Sequence, residues 1–232
     1  MATKAEVLQH LETNKDERGI AHWAKSGFAE SMSAFGIGLT KLRKYAKSIG
    51  KDHALALELW EEPVYEAKVI ATLIENPKEI TKEQAERQVD AADFWMLSHA
   101  YCSCDGTLSK VPFVKELSLE WMQSEHDLRR RCGYLLLAEM AKNKKDKALT
   151  DDFFMPHLDT IEKTLQSEEN FVKDAMNTVL FKIGQRSKAL HTKALAIAKA
   201  IGPVAVDYGK NSCAAVDNVK HLSHPRVLKK FE

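Results

Sequence analysis

Glycine and proline are scarce in this chain, with 10 and 6 among 232 residues. A turn-rich β sandwich or barrel needs more of both, so the composition argues for long helices with short joints and little or no sheet. Cysteine is scarcer still. Cys102, Cys104, Cys132 and Cys213 lack the dense, regular spacing of a secreted disulfide scaffold and are expected to be free thiols in a reducing compartment. No window approaches the roughly 18 uninterrupted apolar residues of a membrane span, and the opening MATKAEVLQHLETNKDERG has no apolar run of signal-peptide length. A cytoplasmic protein with no membrane partner is expected. GxSxG, a P-loop and a GxGxxG after a strand are also missing, which sets aside those hydrolase, nucleotide and dinucleotide classes.

The 44% hydrophobic content is enough for a full core. The net charge of +1 hides an asymmetry: the first 125 residues hold 15 Lys and Arg against 20 Asp and Glu, and residues 126–232 hold 19 against 13. A polyanion would be drawn mostly to the C-terminal half, although unlike-charged halves are also ordinary in helical proteins.

Apolar residues recur at three- and four-residue spacing almost throughout, as in Leu42, Tyr45, Ala46 and Ile49, or Phe171, Ala175 and Val179. Pro63 suits a first helical turn, and TKEQ at 81–84 has the N-cap and third-position Gln of a capping box. About twelve helices are expected, with joints near positions 15, 37, 51, 62, 78, 106, 125, 148, 167, 187 and 203. Segments 59–74, 121–141 and 165–184 resemble one another, with Tyr65, Leu128 and Phe171 aligned, and the last two copies lie 43 residues apart. That period fits a HEAT or armadillo unit, whose helix pairs bury their apolar faces against the next pair. The expected fold is therefore an all-α solenoid of HEAT-like repeats. It is expected to form one domain over 1–232, with N-terminal capping helices in 1–34, repeats in 35–201 and a C-terminal helix or tail in 202–232. A plain helical bundle is the competing arrangement.

The stretch ADFWMLSHAYCSC, residues 91–103 with Cys104 following, gathers Trp95, Ser98, His99, Cys102 and Cys104. His99 and the two cysteines have no second CxxC-type element, so a metal is not expected. Trp95 and His99 are four apart and share a helix face, suited either to core packing or to stacking on a base or sugar. Asp93, two residues before Trp95, is expected to point away from that face. Trp23, Trp60 and Trp121 sit among apolar neighbours and are expected in the core. Arg129, Arg130 and Arg131 point about 100° apart on a helix, so at least one must turn towards the apolar side or a groove. An inward arginine needs an anion, and a phosphate is a good one.

FGIGLTKLRKYAKSIGKDHALALELWEEPVYEAKVIATLIENPKEIT and ENFVKDAMNTVLFKIGQRSKAL together resemble signatures of the AlkD-like DNA alkylation repair proteins, the HEAT-like-repeat alkylpurine DNA glycosylases. The likeness spans roughly residues 35–222. It implies removal of cationic N3- and N7-alkylpurines from duplex DNA without base flipping, no metal or organic cofactor, and a monomer acting on double-stranded DNA. Carried over by position, it makes Trp95 the stacking tryptophan, puts His99 where the family has an Asp, keeps Arg131 as the phosphate contact and puts Thr178 in place of a second tryptophan. Arg43, Lys44, Arg129, Arg130, Lys182 and Arg186 are candidate DNA-backbone contacts. A neutral or protonated His cannot offer the anionic field that an Asp gives a cationic sugar. Two functions therefore stand: a repair glycosylase, and a catalytically silent helical scaffold that binds structured nucleic acid or a protein partner.

Overall fold

A computed structural model describes residues 2–25, 32–210 and 213–231. Residues 26–31, within the expected N-terminal capping region, and 211–212, within the expected C-terminal helix or tail, lie outside the described residues, as do positions 1 and 232. The chain forms two compact units, Met1–Val114 and Lys115–Glu232, where one continuous domain is expected from sequence. Among the described residues the regular structure is helical, and extended pairing is limited to one isolated bridge between Ser33 and Val64.

The first unit runs through α1 (Lys4–Thr13), α2 (Glu17–Trp23), α3 (Leu39–Ile49), α4 (His53–Trp60), α5 (Tyr65–Ile74), α6 (Lys82–Asp90) and α7 (Trp95–Cys102). Polar caps start most of them: Thr3 and Glu6 form a reciprocal capping box on α1, while Asp16, Asp52 and Thr81 accept from the first turns of α2, α4 and α6. α5 is the central helix, packing against α3, α4 and α7, and it buries Ala67, Val69, Ile70, Ala71 and Ile74. α3 buries only Leu42 and Ala46 and leaves its lysines outside.

Two local expectations change. Pro63 is not in the first turn of α5: it lies just before the Val64 N-cap, where its carbonyl accepts from Ser33 N at 2.9 Å. Gln84 receives its half of the capping box, Gln84 N donating to Thr81 Oγ1 at 3.1 Å, but its side chain turns inward. There Gln84 and Gln88 donate to Glu75 Oε1 at 2.9 and 2.7 Å, and Tyr101 donates to Gln88. Burial raises the Glu75 carboxyl to about 7, and its Oε2 has no partner among the described residues.

The second unit contains α8 (Val114–Met122, beginning at the division), α9 (Asp127–Lys142), α10 (Asp151–Thr164), α11 (Asn170–Ile183), α12 (Lys188–Ile201), α13 (Asn218–Leu222) and α14 (Pro225–Leu228). α9 lies along α11, and α10 packs on α12. The expected joints all fall between α-helices, the one near 167 on the short 3-10 turn Leu165–Ser167; the break at 91–94, which carries no Gly or Pro, is additional. The described part of 202–217 is non-helical, and buried Asn177 and Asn218 dock α13 on α11 through Asn218 Nδ2 to Asn177 O, 2.9 Å. Trp23, Trp60 and Trp121 are buried core residues.

Candidate nucleic-acid interface

In the first unit a cavity of ≈ 430 Å³ opens beside the start of α7. Trp95 opens that helix and His99 follows one turn later; both are half-buried and both line the cavity, with Trp23, Tyr65, Met96, Glu66 and Cys104. Ring packing fixes the wall: Phe94 meets Trp95 edge-on at 5.9 Å, and Tyr65 lies 5.1 Å from Trp23. Asp93 is exposed in the turn before α7, so the turn rather than helical rotation keeps it off this wall.

Glu66 is the carboxylate that sequence reasoning missed. It is buried, and its two oxygens accept from Phe35 N at 2.9 Å and Ile37 N at 3.0 Å. The 35–37 loop comes that close because of two glycines: a Cβ on Gly19 would sit 2.1 Å from Gly36 O, and Gly36 has φ +73°. Burial raises the Glu66 carboxyl, and these amides oppose the rise. Each of its oxygens thus already accepts one bond from the fold.

α3 places the expected contacts Arg43 and Lys44 on different sides, because adjacent helical residues diverge by about 100°. Arg43 lines a groove of ≈ 400 Å³ with Lys47, Lys51, Lys110 and Asp105, whereas exposed Lys44 lines a separate depression beside the stacked rings of His10 and Tyr45, 3.6 Å apart.

In the second unit the inward arginine is Arg131, but its anion is internal. The side chain is 2% exposed; Nη1 donates to Phe171 O at 2.6 Å and pairs with Asp174 at 3.2 Å. Tyr208 donates to the other Asp174 oxygen at 2.6 Å, and burial first, then that bond, raises the Tyr208 hydroxyl. Through this internal pair Arg131 braces α9 against α11. The sequence carried a signal for this: Arg131 and Asp174 are 43 residues apart, the repeat offset, and so occupy equivalent positions on neighbouring repeat helices.

Arg186 is likewise engaged within the fold. Its guanidinium donates to the carbonyls of Met140, Ala141, Asn143 and Leu149 and lies over the Phe154 ring, closing the C-terminus of α9. Arg130 donates to Ser124 O and Glu125 O and pairs with Glu168 at 3.1 Å. Arg129 is half-buried on the first turn of α9. Lys182 is half-buried; desolvation first, then the neighbouring Lys142 and Lys230 charges, lowers its ammonium, with Glu139 opposing. Thr178 is half-buried on α11 and offers no ring. Cys102 and Cys132 are buried, Cys104 is partly covered and Cys213 is exposed.

The family model described as DNA alkylation repair enzyme matches residues 7–212. The Listeria innocua protein Lin0241 is 27% identical over 229 residues, covering 97% of this chain and 98% of its own. Lmo0209 of Listeria monocytogenes is 24% identical with the same coverage. A solved structure described as a new family of proteins related to the HEAT-like repeat DNA glycosylases, with affinity for branched DNA structures, superposes with a TM-score of 0.84 at 26% identity, over 99% of this chain and 95% of that one. The architecture is all-helical and HEAT-like. No helix among the described residues is long and apolar enough to cross a membrane.

Proposed function

Because this chain belongs to the DNA alkylation repair enzyme family, we propose that it is a DNA-binding member that prefers structured or branched DNA and does not excise alkylated purines by a carboxylate-assisted route. One observation carries the reading. Among the described residues lining the Trp95–His99 cavity, Glu66 is the only carboxylate, and its oxygens are held by Phe35 N and Ile37 N. Departure of a cationic purine leaves positive charge on the sugar, which needs a preorganised anionic field. His99 supplies an imidazole instead. Thr178 cannot replace the aromatic face that the family resemblance expects from the second unit.

The remaining groups suit holding DNA. Trp95 offers a partly open indole for stacking, and Arg43, Lys44 and Lys182 offer cations for the phosphate backbone. The whole-length likeness to a structure with affinity for branched DNA supports the partner class. Excision remains a second reading because the family is described as a repair enzyme and a cationic base is already a good leaving group.

Fluorescence anisotropy with a labelled three-way junction and a linear duplex of equal length tests the binding. The junction is expected to bind more tightly, with affinity falling as salt rises through counterion release. Absence of salt-dependent affinity for both DNAs defeats the DNA reading. A parallel single-turnover assay is expected to show N7-methylguanine release at background; release above background restores the glycosylase.

A further inference from the structure

The first unit is the more acidic half, yet it holds a dense run of cations free of acidic residues. Residues 41–51 contain Lys41, Arg43, Lys44, Lys47 and Lys51 with no Asp or Glu between them. Arg43 and Lys47 are one turn apart on α3 and face the same groove as Lys51 and Lys110. Among the described residues lining that groove Asp105 is the single carboxylate.

The donors there are unspent. Arg43 uses Nε on Cys104 O at 3.2 Å and on Asp105 at 3.3 Å; its two terminal nitrogens make no hydrogen bond among the described residues. Lys47 has no ion pair or hydrogen bond among the described residues. Lys51 donates to Leu73 O at 2.9 Å and Thr107 Oγ1 at 2.8 Å, which leaves one of its three N–H groups over. Lys110 reaches only Asp105 O, at 3.1 Å. Desolvation chiefly, and the Lys110 charge second, lowers the Lys51 ammonium, so two of these cations already repel each other.

The backbone opposite is unusual. Cys104 and Asp105 have φ of +54° and +72°, successive left-handed residues without glycine. Arg43, Lys51 and Lys110 hold this turn from three sides, and it presents the Asp105 carboxylate, 74% exposed, to Arg43. A carboxylate oxygen against a guanidinium makes the same charge-assisted contact that a phosphate oxygen would make.

We propose that the groove between α3 and the 104–110 turn, lined by Arg43, Lys47, Lys51 and Lys110, seats a phosphodiester of the DNA backbone, and that Asp105 is the internal anion this phosphate displaces. The inference rests on the DNA-binding reading and adds the place and chemistry of a contact. Its signature is a pair of opposite effects. Removing cations weakens binding, whereas removing the competing carboxylate strengthens it.

The test measures three-way-junction affinity by anisotropy across a salt series, on the full chain. Lys47→Ala/Lys110→Ala is expected to weaken binding by about tenfold and flatten the log affinity against log salt slope by about one per lost contact. Asp105→Asn, which tolerates the left-handed turn, is expected to raise affinity roughly two- to fourfold at low salt. Lys78→Ala, an exposed lysine of the same unit outside the groove, controls for net charge and is expected to leave the slope unchanged. An unaltered affinity and slope in the double variant overturns the phosphate seat, and an unaltered affinity in Asp105→Asn overturns the displaced carboxylate. If the unsubstituted protein shows no salt-dependent affinity at all, the DNA reading itself falls, and the groove with it.

Discussion

The two units use their cations in opposite ways. The second is the basic one, yet Arg130, Arg131 and Arg186 are spent on Glu168, on Asp174 and on backbone carbonyls. The first is acidic, yet Arg43, Lys47, Lys51 and Lys110 retain donors with no protein partner among the described residues. Net charge reports the long-range field that attracts a polyanion; contact is made by donors the fold has not already used.

The largest expected effect strikes the second unit. Arg131→Ala leaves Asp174 half of a buried pair and should destabilise the protein by about 3–5 kcal/mol in chemical denaturation. Arg131→Met/Asp174→Asn removes both charges and keeps an acceptor for Tyr208, so it should recover most of that loss. If the double variant is stable yet loses junction affinity, Arg131 touches phosphate after all, and the contrast between the units breaks.

The first unit has its own buried charge, which depends on pH. The Glu75 carboxyl is raised above its unfolded value to about 7 by burial. A raised carboxyl favours the protonated fold, so its contribution is fully present below about pH 4.5 and is lost as pH rises through 7. The span is about 3 kcal/mol at most. Glu75→Gln should therefore flatten stability between pH 5 and 8 and be the more stable protein at pH 8. An unchanged pH profile in that variant would mean Glu75 stays ionised in the fold.

Arg186→Ala should cost less, about 2 kcal/mol, because the α9 carbonyls it releases can partly be met by water. Hydrogen exchange should locate the loss at the last turn of α9 and the 143–150 connection. Faster exchange confined to α12 instead would assign Arg186 a different role.

Helix periodicity and the 43-residue offset made the architecture legible, because a repeat that buries one face must show that face in its spacing. The inward turn of one of the three arginines was legible too, from helical geometry alone. The partner anion was legible only in part: the 43-residue offset puts Asp174 at the position equivalent to Arg131, but the pair forms only once α9 lies along α11. Glu66 was hidden for the same reason, since its role depends on the 35–37 loop passing over Gly19. Neither Lys51 nor Lys110 joins Arg43 until α5 and the 104–110 turn bring them together. The break at 91–94 was invisible because no Gly or Pro marks it.

The smallest expected effect on stability is the one that sharpens the comparison most. Arg43 is 38% exposed and its pair with Asp105 faces solvent, so Arg43→Ala should change unfolding free energy by at most about 1 kcal/mol. Lys47→Ala, on an ammonium with no ion pair or hydrogen bond among the described residues, should stay within about 0.5 kcal/mol. Both should nevertheless weaken junction binding measurably, whereas Arg131→Met/Asp174→Asn should do the reverse, moving stability with little change in affinity. Thermal melts and anisotropy on the same preparations place each variant on two axes. If all of them fall along one diagonal, losing affinity in proportion to stability, then binding merely reports folding and the division between spent and unspent cations has no functional meaning.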